Sequence, residues 1–155
     1  MPSAKSRARW PLPSRRTRTS WQIGRLADWQ TLHWPGVSDP DIIGETADPD
    51  HDGLPNLLEF ALGKSPKTPN PAPTSLQFQP TDGILFSYTR KLGVTGMVSL
   101  VEWSETLADG SWSSISVGGE TILSYDPPAD IEVVSVPVST GTSGRRFVRL
   151  RVARE

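Results

Sequence analysis

From about residue 75 onward the apolar residues of this chain recur at every second position, and that period limits what it can fold into. Seven short runs show it: SLQFQP, GILFSYTRK, MVSLVEWSE, SWSSISV, ETILSYD, IEVVSVPV and RRFVRLRVA. They are enriched in β-branched and aromatic residues and separated by turn signals such as TDG, ADG, GG, DPPAD and TGTSG. Successive side chains of a strand point to opposite faces, so each run presents one apolar face that must be buried against another strand's. The pattern predicts a mainly β domain over residues 75–155, built as a β-sandwich. In the last run Phe147, Val148, Leu150 and Val152 are the apolar positions, and Arg145, Arg146, Arg149 and Arg151 are expected largely outward. Composition agrees, since 15 prolines, 13 glycines and a hydrophobic share of 35% suit a turn-rich β protein better than a helical bundle. There is no cysteine, so neither disulfides nor a thiolate metal site can staple the fold. No internal repeat appears at solenoid or propeller periods.

The strand count and spacing resemble immunoglobulin-like and fibronectin type III modules. Upstream of residue 75 the organisation differs. Residues 1–20 are polar, basic and punctuated by proline, and are expected to be a disordered basic tail. Residues 1–27 carry Lys5, Arg7, Arg9, Arg15, Arg16, Arg18 and Arg25 without one acid, so a basic tail precedes an acidic body. Within residues 21–63, Trp21, Leu26, Trp29, Leu32 and His33 recur at helical intervals and predict a short amphipathic helix ending before Pro35. PGVSDPDIIGETA reads as an irregular connector with Ile42 and Ile43 packed inward. A second helix is predicted from about Pro55 to Leu62, with Pro55 in its early turn and Gly63 at the C′ position. Leu57, Leu58, Phe60, Ala61 and Leu62 are too apolar for a free helix and must dock on something. Residues 64–74 read as a proline-rich linker.

Running into the second predicted helix is DPDHDGLPNLLE, residues 48–59, which matches the twelve-residue EF-hand type loop position by position. Asp48, Asp50 and Asp52 occupy positions 1, 3 and 5, and Gly53 stands at position 6, where the chain turns sharply. Leu54 at position 7 would offer its backbone carbonyl, Asn56 at position 9 would ligate or hold a water, and Glu59 at position 12 would bind bidentately. Four carboxylates in so short a stretch repel one another unless a cation joins them. Calcium takes six to eight hard oxygens, which this set supplies; magnesium demands a tighter octahedron, and zinc prefers nitrogen or sulfur. His51 at position 4 points away from the centre in this register. The competing reading is an acidic turn that caps the following helix. Position 8 is Pro55, which has no N–H for the backbone bridge that pairs EF-hands, and no second such loop exists in the sequence. A solitary structural calcium site is therefore expected, rather than a calmodulin-like sensor.

The stretch ADPDHDGLPNLLEFALGKSP resembles the D-P-D-G-D-G-L-x-N-L-L-E-Y-A-L-G segment near the C-termini of large exported bacterial proteins. It is also similar to the calcium loops of dockerins and thrombospondin type 3 repeats. The wider resemblance covers roughly residues 29–153, from DWQTLHWPGVSDPDIIGETADPD through VEWSETLADGSW to RRFVRLRV. It implies a calcium-stabilised module of an extracellular or cell-surface protein, with Ca2+ held by the residues already named. His51 stands where the family has glycine, a change that leaves the ligand set intact.

Other constellations carry less. No run approaches the roughly 18 apolar residues that span a bilayer. The start MPSAKSRARWPLPSRRTRTSW has positive charge but no apolar stretch behind it, so the chain as written shows no export signal. It reads either as cytoplasmic or as the end of a longer exported protein. His33 and His51 lack a nucleophile motif, and Glu102 and Glu105 read as strand-edge and turn residues rather than a glycosidase pair, so no enzyme is expected. Trp103 and Trp112 are expected to pack on the core; their alternative is stacking on the sugar rings of a polysaccharide or other cell-surface component. The basic tail has the charge for phosphate contacts but no folded reading element behind it, so no specific nucleic acid is expected.

Overall fold

The computed structural model describes residues 24–79, 83–115, 119–141 and 143–155. The basic segment 1–20 and Trp21 lie outside them. Three short helices open the described chain: α1 (Leu26–His33), α2 (Pro40–Ile43) and α3 (Asn56–Leu62). Helix α1 ends before Pro35, as the periodicity predicts, and buries Leu26 and Trp29 together with the following Trp34. Leu32, expected on the same face, is 57% exposed. It lies roughly a quarter turn away from the seam formed by Leu26, Trp29 and His33. The connector contains one helical turn, because Asp39 accepts a hydrogen bond from the Asp41 N–H at 3.0 Å and Pro40 takes the first helical position. Ile42 and Ile43 pack inward, half-buried, on the cluster of Leu26, Trp29, Trp34 and Phe60.

Helix α3 is apolar because it docks on two sides. Leu58 and Leu62, one turn apart, join the core of the sheets, where Leu62 is fully buried. Leu57 and Phe60 join the cluster on α1. Full burial of such a leucine stabilises by about 1.5–3 kcal/mol. Asn56 and Glu59 lie on the third side, toward the acidic loop. The helix ends at Gly63, whose φ of 69° is the left-handed value that the sequence pattern anticipates there. A Cβ on Gly63 would also come within 2.8 Å of the Ile131 side chain.

All seven alternating runs form strands: β1 (Thr74–Gln79), β2 (Gly83–Lys91), β3 (Met97–Ser104), β4 (Ser113–Ser114), β5 (Thr121–Asp126), β6 (Ile131–Val138) and β7 (Phe147–Arg154). They make two antiparallel sheets, ordered β1-β2-β6-β5 and β4-β3-β7. One core takes Ile84, Phe86 and Tyr88 from β2, Val134, Val136 and Val138 from β6, and Val101 from β3. Trp103, Val148 and Leu150 of the three-stranded sheet pack against it. Strand β4 is the short one, Ser113–Ser114 of SWSSISV, and the following Ile115 packs against the core. In β7, Val148, Leu150 and Val152 face inward, but Phe147 shares the exposed face with Arg149 and Arg151. Arg146, expected outward, has only 8% of its side chain exposed; it lies 3.8 Å over Trp103 and pairs with Glu105 at 3.0 Å. Among the described residues no helix is long and apolar enough to cross a membrane.

Candidate metal centre

The loop between α2 and α3 is shaped by its own carboxylates. Asp48 accepts a hydrogen bond from the Gly53 N–H through Oδ2 at 2.9 Å. Asp50 accepts one from the Asp52 N–H through Oδ1 at 3.3 Å, and Asp52 accepts one from the Leu54 N–H through Oδ1 at 2.8 Å. Two residues adopt left-handed backbone: Gly53 at φ 89° and His51 at φ 60°. The first suits glycine; the second is a position where an L side chain stores strain. His51 is exposed and holds no loop oxygen, as its register position predicts.

These bonds bring one carboxylate oxygen from each of Asp48, Asp50 and Asp52 within 4.8 Å of one another, a cluster that can hold a metal ion. The next turn supplies two further groups of the predicted set. Asn56 is fully buried, and its Nδ2 donates to the carbonyls of Ile42 at 2.9 Å and Gly44 at 2.8 Å. The amide is thereby oriented, with its oxygen left over. Glu59 is also fully buried. Leu54 is fixed by its N–H on Asp52.

Four oxygens of this set are buried without any hydrogen-bond partner: Asp48 Oδ1, Asp50 Oδ2, Asn56 Oδ1 and Glu59 Oε2. Leaving one buried polar group unsatisfied costs about 1–3 kcal/mol, and more when the group is charged. Four orphaned acceptors in one loop and its helix match the appetite of a hard cation. Among the described residues no basic side chain pairs with Asp48, Asp50, Asp52 or Glu59. The electrostatics follow. Burial, together with the charges of Asp50, Asp52 and Asp48, pushes the Glu59 carboxyl up to about 8. Burial and the neighbouring Asp52 charge also raise Asp50. Burial opposes ionisation of Asp52 too, but hydrogen bonds from Asn70 and Leu54 outweigh it and hold that carboxyl below its ordinary range.

Asn70 belongs to the site and was not foreseen. It sits in the segment predicted as a plain linker, in the tripeptide Pro69-Asn70-Pro71. Its backbone N–H donates to Asp52 Oδ2 at 2.7 Å, and its Nδ2 donates to the same oxygen at 3.1 Å and to Glu59 Oε1 at 3.0 Å. The one local signal was an asparagine held between prolines, a turn-forming context.

The remaining candidates sit elsewhere. His33 stacks edge-on against Trp29, with ring centres 4.8 Å apart. Glu102 binds Arg149 at 2.8 Å and Arg151 at 3.6 Å on the outer face of the three-stranded sheet. A guanidinium lies over each tryptophan proposed for sugar stacking, Arg146 on Trp103 and Arg149 on Trp112, the latter at 3.9 Å. No family model, curated protein or solved structure matches this chain.

Proposed function

We propose that the chain is a non-enzymatic, calcium-binding structural module of an extracellular or cell-surface bacterial protein. One observation carries the reading: Glu59 is fully buried with an orphaned oxygen and without a basic partner, beside three clustered aspartates. The donors are carboxylate, amide and carbonyl oxygens only, which favours calcium over zinc; the irregular loop geometry favours it over magnesium. Bound there, the ion supplies positive charge and accepts the unpartnered oxygens. The residues do the rest. Asp48, Asp50 and Asp52 shape the turn, Asn56 ties it to the α2 connector, and Glu59 ties it to a helix anchored in both apolar clusters. A solitary site of this kind binds with a dissociation constant on the order of 10⁻⁴ M, suited to extracellular calcium.

The β domain is read as an immunoglobulin-like or fibronectin III-like sandwich. Lettered along the chain, the two sheets run A-B-E-D and C′-C-F, an order that supports this reading. The carbohydrate-binding alternative draws no support from Trp103 or Trp112, since a guanidinium covers a face of each ring.

A ligand that binds only the folded state stabilises it by about 2.7 kcal/mol at one hundred times its dissociation constant. At this size that raises the melting temperature by on the order of 10 °C. Calorimetry in 10 mM calcium and in EDTA should show that difference, and Asp48→Ala should remove most of it. Identical melts in both buffers would reject the proposal.

A further inference from the structure

We propose that Asn70 is a positioning residue of the metal centre, and that through it ion occupancy decides whether residues 64–73 are held against the loop or released. The inference rests on the metal reading above. Asn70 lies eleven residues beyond Glu59, outside the twelve-residue loop. Even so, it grips the groups at register positions 5 and 12, Asp52 and Glu59. Its grip is selective in atoms. On Glu59 it takes Oε1 and leaves the orphaned Oε2; on Asp52 it takes Oδ2, while Oδ1 holds the Leu54 N–H.

The chemistry of the residue matters as much as its place. An amide donates hydrogen bonds without adding charge, so it aims two carboxylates without neutralising them. A lysine or arginine there would discharge the site and compete with the cation; an aspartate would add a fifth negative charge and donate nothing from its side chain. Outer partners of this kind fix the orientation of metal ligands, and losing one typically weakens metal affinity 10–100-fold.

Asn70 also closes the segment it belongs to. Its Nδ2 donates to the Ser65 carbonyl at 2.8 Å, and its Oδ1 accepts the Ser65 N–H at 3.3 Å. The turn so formed buries Pro66 and leaves Lys67, Thr68 and Pro69 on the surface. One side chain thus joins the ion's ligands to a proline-rich stretch that would otherwise be extended. Coupling is reciprocal: if the docked turn strengthens ion binding, the ion strengthens the docked turn by the same factor.

The test pairs a calcium titration by calorimetry with limited trypsin digestion at the exposed Lys67–Thr68 bond, on the full chain. Asn70→Ala is expected to bind calcium at least about tenfold more weakly. In the unmodified chain saturating calcium should slow cleavage after Lys67 by about tenfold or more, since cleavage follows the population of the open segment. In Asn70→Ala, at calcium high enough to saturate it, that protection should be lost. Asn70→Asp, which keeps the backbone donor and the side-chain shape, should bind as weakly as Asn70→Ala. Cleavage in the unmodified chain that ignores calcium overturns the proposal, whatever the variants do. So does calcium affinity in Asn70→Ala or Asn70→Asp equal to that of the unmodified chain. No calcium uptake by the unmodified chain at 10 mM would instead reject the underlying metal reading.

Discussion

Two sets of carboxylates in this protein have different surroundings. On and beside the sheets four glutamates meet arginines. Glu102 binds Arg149 and Arg151, Glu105 binds Arg146, and Glu120 and Glu132 share Arg90 at 3.0 and 2.8 Å. In the loop, Asp48, Asp50, Asp52 and Glu59 meet, among the described residues, only N–H groups and one neutral amide. Among the described residues the guanidinium groups that pair with acids all lie on or beside β2 and β7, and none of them reaches the loop's four carboxylates. The sheet surface carries its own counter-charge. On the proposed reading the loop takes its counter-charge from a cation in solution, and its order would depend on that cation.

The comparison can be broken most forcefully by removing one charge from each set. Glu59→Gln keeps the shape and deletes the charge. Melts of this variant should show little or no calcium-dependent rise, a loss of about 2–3 kcal/mol of ion stabilisation, while the melt in EDTA holds or improves. Glu102→Gln should do the reverse. It strands Arg149 and Arg151, both about half exposed, at a cost of about 1 kcal/mol that is the same with and without calcium. If the two variants respond to calcium alike, the distinction between the sets is false.

Proton linkage sharpens the contrast. A carboxyl raised to about 8 binds its proton more tightly in the folded chain than in the unfolded one, where the ordinary value is 4.5. In the metal-free protein Glu59 therefore contributes stability that is fully present below the unfolded value and is lost as pH rises through about 8. Calcium requires the carboxylate, so binding at pH 7 should release close to one proton, and affinity should fall up to about tenfold per pH unit below 8. Titration calorimetry in two buffers of different ionisation enthalpy measures that proton. The gap between calcium and EDTA melts should accordingly widen toward alkaline pH.

The smallest effect concerns the strained histidine. His51→Gly relieves a left-handed residue at the cost of a more flexible unfolded chain, and should stabilise the calcium-bound protein by about 0.5 kcal/mol. A shift of the urea midpoint at constant slope would measure it.

Much of this was legible in the residues because it is local. Period-two alternation in GILFSYTRK and IEVVSVPV marks strands wherever they go, and both became central strands of one sheet. The Gly63 cap and the clustering of Asp48, Asp50 and Asp52 likewise depend on neighbours along the chain. What escaped depends on partners far away in sequence. Nothing in TPNPAP says that Asn70 will meet Asp52 and Glu59, and nothing in GRRF says that Arg146 will turn in over Trp103 while Phe147 turns out. Leu32 shows the same limit: helical spacing put it near the apolar seam, but the neighbours that pack on α1 cover only Leu26 and Trp29. The single helical turn capped by Asp39 lies in PGVSDPDIIGETA, which reads from sequence as an irregular connector.

The amide of Asn56 has a consequence in time as well as in space. Its two bonds reach back 14 and 12 residues, and Asn70 reaches Asp52 across 18. The cross-strand ion pairs Arg90–Glu132 and Arg149–Glu102 span 42 and 47 residues. Short closures lose less chain entropy, so on refolding the loop, α2 and α3 are expected to assemble, like the β1–β2 and β5–β6 hairpins, ahead of the long-range pairings of β2 with β6 and β3 with β7. If calcium binds as proposed, its presence at that moment would give those later pairings a finished helix, with Leu58 and Leu62 already in place, on which to condense.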